Sequence, residues 1–137
     1  MPEENVTINR KEIVRRNLEI VRDKIGRIDT LLSLVLVGGA FVEYKNSGLD
    51  FASGGYSLGA ISLAYSAYQN FKHKNISENA LLLTSFGLTA AGVENIVRSF
   101  SDQKPNADLL VGIIDIMGAG VMFLNYLSGR DKQLKIE

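Results

Sequence analysis

The sequence predicts an all-α fold: a four-helix transmembrane bundle of two helical hairpins, preceded by an amphipathic, charged N-terminal helix. Three observations lead there. The apolar residues gather into four long segments with no period of two. The first of these segments shows almost no polar face, as a helix in water should. And the charges are sorted along the chain in the manner of the positive-inside rule.

The charged helix comes first. Asn9 is a fitting N-cap, with Glu12 three residues on to complete a capping box. Val14, Leu18, Val21, Ile25, Ile28 and Leu32 then recur at spacings of four and three, a heptad-like stripe. Arg15, Arg16, Arg22, Lys24 and Arg27 lie mostly off that stripe and form a basic surface suited to an anionic membrane face. Gly26 weakens the helix locally without ending it. Residues 1–29 hold seven of the fifteen Lys/Arg and six of the fifteen Asp/Glu, and are read as a cytoplasmic tail and helix.

Residues 30–129 form the expected membrane domain. The first apolar segment runs from Thr30 to Tyr44, where only Ser33 is polar between Thr30 and Val42. The second runs from Tyr56 to Phe71, and the stretch from Phe51 to Phe71 carries no charge. The third runs from Ala80 to Val97 and the fourth from Ala107 to Leu127. Lys45-Asn46-Ser47-Gly48, Gly54-Gly55, Ser77 as a cap and Lys104-Pro105-Asn106 punctuate the connections. Residues 130–137 are read as a short cytoplasmic tail. Four crossings place the N-terminal region, the connector around Lys72 and this tail on one side. That side holds twelve of the fifteen Lys/Arg, so both termini are expected inside. Tyr44, Tyr56, Phe71, Phe100 and Tyr126 fall near span ends, where amphipathic rings favour the interface.

Leu31 through Glu43 aligns without gaps on Leu82 through Glu94, with small residues at the centre and Val-Glu at the end of each copy. Duplicated hairpins and the chance similarity of apolar sequence both account for this. Four short spans with an acidic residue resemble the architecture of the small multidrug-resistance transporters. Those place a glutamate inside the first span, whereas Glu43 stands at its end, so the resemblance implies nothing about function here.

Composition excludes several chemistries. There is no cysteine, which removes disulfides and thiolate sites. The one histidine, His73, stands between Lys72 and Lys74, a poor setting for a metal ion. Net charge is zero, so no basic excess points to nucleic acid. No catalytic, cofactor-binding or metal motif is present, and the chain is read as non-enzymatic.

What remains are a few polar groups that a membrane makes expensive. Asp115 lies among Ile113, Ile114, Ile116 and Met117, where an ionisable group costs about 2.5–3.5 kcal/mol to insert. It is the leading candidate for a proton or ion site, the competing reading being hydrogen bonds to Ser62, Ser66, Thr84 or Thr89. Glu43, Glu94 and Asp108 fall at the opposite mouth and are candidates to converge there. Gly38, Gly39, Gly112, Gly118 and Gly120 are the expected points of close helix packing, within one chain or between copies. The functional expectation is an accessory or scaffolding membrane subunit that meets the lipid bilayer and forms a homo-oligomer or joins a membrane complex. An ion channel or proton-coupled carrier using Asp115, and a soluble helical bundle that binds a partner, are the alternatives.

Overall fold

A computed structural model describes residues 2–72, 79–101 and 105–130, with side chains described from residue 9 onward except at Pro105. The described residues form four helices: α1 Pro2–Ser47, α2 Phe51–Phe71, α3 Asn79–Ser99 and α4 Pro105–Leu127. The Ser77 cap, His73 and residues 131–137 lie outside the described residues.

The charged helix and the first apolar segment are one helix, so the boundary drawn at Asp29 falls inside a continuous element of 46 residues. At 1.5 Å per residue α1 is about 70 Å long. Asn9 is therefore an interior residue of α1 and not its cap. Residues 10–16 supply charge on every side, and one glycine does not break a helix that packing holds on its far half. The helix ends at Gly48, whose φ of 75° carries the chain into the left-handed region while its N–H donates to the Tyr44 carbonyl at 2.8 Å.

A feature not anticipated starts α2. Asp50 accepts a hydrogen bond from the Ser53 backbone N–H at 2.8 Å, and the Ser53 hydroxyl caps the Asp50 N–H at 3.0 Å. Gly54 and Gly55 consequently lie inside α2 and not in a connector. Helix α4 begins at Pro105, whose fixed φ and missing N–H suit a first helical turn. Gly129, with φ of 70°, closes it.

The helices pack in chain order, α1 on α2, α2 on α3 and α3 on α4, while α1 and α4 have no Cα atoms within 8 Å of each other. Glycines make the close approaches. A Cβ on Gly55 would collide with the Gly87 carbonyl oxygen, and a Cβ on Gly87 with that of Gly55. Between α3 and α4, a Cβ on Gly92 would fall 3.0 Å from the Gly112 oxygen, and one on Gly112 would fall 2.9 Å from the Gly92 oxygen.

Of the expected packing glycines, a Cβ on Gly39 would fall 3.5 Å from the Tyr56 ring, Gly112 meets Gly92, and a Cβ on Gly118 would fall 3.4 Å from Leu88. Gly38 and Gly120 depart from the expectation, since nothing lies within 4 Å of a Cβ on either. The strongest crossing, Gly55 on Gly87, was hidden by its apparent place beside a loop.

The molecule is apolar outside and small or polar inside. Among the described residues, the only large apolar side chains fully buried are Tyr56, Leu63, Leu81 and Leu88, accompanied by alanines. Arg22, Asp29, Ser33, Ser53, Ser62, Ser66, Asn70, Thr84, Ser85, Asn95, Ser99 and Asp115 are buried as well. Meanwhile Val35, Phe41, Ile61, Phe86, Met117 and Leu124 are each more than 60% exposed. In water the opposite sorting lowers the free energy. In lipid, small faces and interhelical hydrogen bonds hold helices together, as when Ser33 donates to the Ala60 carbonyl at 2.7 Å and Ser85 to that of Ala119 at 2.9 Å.

Three helical stretches, Asn9–Ser47, Asn79–Ser99 and Asn106–Leu127, are long and apolar enough to cross a membrane. Of the four expected segments, α2 is the one not among them. Its serines, glycines, Gln69 and Asn70 lower its hydropathy, although it has no charge and spans about 30 Å.

Candidate functional site

Three buried polar clusters follow one another through the interior, and the glycine crossings set their geometry. Asn95 lies three residues beyond Gly92, and Asp115 three beyond Gly112, so each occupies the helix face that its glycine brings close. Tyr56, next to Gly55 on α2, reaches across to them. Its hydroxyl donates to Asp115 Oδ2 at 2.5 Å, while the Asn95 side-chain NH2 donates to the Tyr56 oxygen at 3.1 Å and to Asp115 Oδ2 at 3.3 Å. All three residues are more than nine-tenths buried. Asp115 thus bonds to Tyr56 and Asn95, and not to the serines and threonines expected of it. Tyr56 is a core residue and not an interfacial one, because its ring fills the space that Gly39 leaves.

At the turn between α1 and α2, Arg98 gathers three carboxylates. It meets Glu43 at 2.8 Å, Asp50 at 2.9 Å and Glu94 at 3.2 Å. Glu43 and Glu94, matched in the sequence repeat, do converge. The third member is Asp50 and not Asp108, because the α1–α2 turn folds back over α3 and brings its helix cap within reach. Glu94 also accepts a hydrogen bond from the Ala52 N–H at 2.6 Å, so the α2 N-terminus offsets part of the excess negative charge. Burial pushes the Asp50 carboxyl up, but the Ser53 N–H and hydroxyl and the Arg98 guanidinium outweigh it and hold the group below its ordinary value.

The third cluster joins α1 and α2 to Arg130, just past the end of α4. Asp29, 1% exposed, accepts from the Ser66 hydroxyl at 2.7 Å and pairs with Arg130 at 3.2 Å. Arg22 is buried too, donating to the Gln69 carbonyl at 3.1 Å, which removes it from the expected membrane-surface basic set. Arg15 and Arg16 are exposed and pair within α1 with Glu19 and Glu12, and Lys24 and Arg27 are exposed as well.

No family model, characterised protein or solved structure matches this chain. The residues themselves therefore carry the functional argument. Two of the three buried acidic clusters contain their own arginine. The Asp115 cluster does not: among the described residues Asp115 has no ion pair, and its hydrogen bonds come from neutral groups. Asn95 Oδ1 is buried without a hydrogen-bond partner. Among the described residues no three His, Asp or Glu side chains are placed so that they could hold a metal ion. Sequence reading singled out Asp115 but passed over Asn95, an amide between Glu94 and Ile96 in an apolar helix, whose cost in lipid was the available signal.

Proposed function

We propose that this chain is a small integral membrane protein acting as a non-enzymatic accessory or scaffolding subunit, with both termini in the cytoplasm. The observation that carries the reading is the continuity of α1. Its C-terminal half packs on α2, with Gly26 against the Phe71 ring near the α2 end. Residues 9–17 lie beyond that contact and are exposed on every side. Val14, Val21 and Ile28 of the heptad stripe are 53%, 42% and 55% exposed. An isolated helical stretch of this length is marginal in water, so a partner that covers its apolar stripe stabilises it. Because the stretch continues a span without interruption, the membrane holds it outward as a rigid arm. Helix α2 accompanies the three apolar helices across the bilayer, with Ser53, Ser62, Ser66 and Asn70 turned inward and Ile61 and Tyr65 outward.

The test is cross-linking in native membranes. The chain has no cysteine, so Val14→Cys and Val21→Cys report on the arm alone. Cross-linked species of one defined size are expected, and Val14→Glu with Val21→Glu should dissolve the assembly. An assembly whose size is unchanged in that double variant overturns the reading.

A second reading, an ion-conducting or cation-coupled carrier, is favoured by one observation: Asp115 is a buried carboxylate in a candidate span with no basic partner among the described residues. Flux into liposomes that Asp115→Asn abolishes would support it, and wild-type protein that moves no ion would end it.

A further inference from the structure

We infer that the Tyr56–Asn95–Asp115 cluster is a binding site for one monovalent metal cation of the sodium class. The donor set supports this. Asp115 is 8% exposed, and its Oδ2 accepts both hydrogen bonds that the cluster provides. Its Oδ1 accepts neither of them. Asn95 is 1% exposed and its Oδ1 has no partner. The amide is oriented by its NH2, which must face the two oxygens that accept from it; exchanging its ends would strand a buried donor. The cluster therefore retains two unused acceptors, and an oxygen-only set is the preference of hard cations.

Charge selects the valence. A carboxylate that stays ionised away from water is stabilised by one compensating positive charge, and a divalent ion would leave a buried surplus. Asp29, the other deeply buried aspartate, shows how this chain meets the same need when it supplies the cation itself, through Arg130. Glu43 adds to the negative potential at Asp115, and Arg98 already engages it. Water does not replace the ion in this role, since it carries no charge.

This inference deepens the second reading above but concerns equilibrium binding, so it is tested without transport. Purified protein in detergent is melted in sodium chloride and in choline chloride at equal ionic strength and pH. A saturable rise in Tm of about 5 °C in sodium is expected. Asp115→Asn should abolish the rise, and Asn95→Ala should shift its midpoint at least tenfold to higher sodium. Glu12→Gln, on the exposed arm, should keep it. If Asp115→Asn does not fold, sodium-23 line broadening by wild-type protein, relieved in Asn95→Ala, supplies the same answer. Equal Tm in sodium and choline, with no line broadening, overturns the inference; so does a response to pH alone, which would make the ligand a proton. Sodium binding without liposome flux upholds the site and removes the carrier.

Discussion

Arg98 shows how one side chain organises the mouth of the bundle. Its guanidinium presents a fork of donors that three carboxylates share, with Glu43 near the end of α1, Asp50 in the α1–α2 turn and Glu94 one helical turn away on its own helix. A lysine offers a point charge and cannot span them, so Arg98→Lys should behave more like a deletion than a conservative change. The Asp50 carboxyl gives this cluster a pH signature. Its value in the folded protein lies below the ordinary 3.8, so its contribution to stability is complete above that value and is lost as pH falls through it toward the lower folded value. Thermal melts of wild type and Asp50→Asn in detergent should therefore differ at pH 6 and converge toward pH 3. Parallel curves over that range would show that Asp50 contributes only through its cap.

Between helices, the glycines divide into two kinds that are indistinguishable by residue type. Gly55 and Gly87 face each other's carbonyl oxygens, where a methyl group meets backbone that cannot step aside. Gly55→Ala and Gly87→Ala should each cost about 3 kcal/mol or more, the upper end for overpacking, in a denaturation series in mixed micelles. Gly38 and Gly120 face open space. There an alanine gains the helix propensity that glycine lacks, about 0.5–1 kcal/mol, so Gly38→Ala and Gly120→Ala should be neutral or stabilising. Destabilisation of the monomer by Gly38→Ala would refute this assignment. Loss of a larger assembly alone would instead locate an intermolecular contact at that glycine.

For the molecule as a whole, the sorting of side chains is the decisive property. Polar groups line the interior and the large aliphatic and aromatic groups face outward, which is stable only where the surroundings are apolar. The chain should remain with the membrane pellet through an alkaline carbonate wash, and fractionation measures this directly. Recovery as a monomer in detergent-free buffer would overturn the membrane reading together with the inward orientation of its termini. The same sorting bears against a soluble partner-binding bundle, because such a protein would turn Leu31, Leu34 and Val35 of α1 inward.

Helix content, the apolar segments and the separation of charge were readable in the residues, because propensity and hydropathy are sums over neighbours in the chain. So was Asp115, whose surroundings in sequence are apolar on both sides. The inward faces were not readable. The apolar heptad stripe of α1 is largely exposed, and the stripe one residue along, Arg22, Gly26, Asp29 and Ser33, is the one that packs. An apolar period marks the core only when water is the solvent. Where lipid covers the outside, close approach and hydrogen bonds select the face, and those depend on what the neighbouring helix presents. The partners of Asp115, the pairing of Gly55 with Gly87 and the three carboxylates on Arg98 join residues from 4 to 59 positions apart, and only the packed helices could decide them.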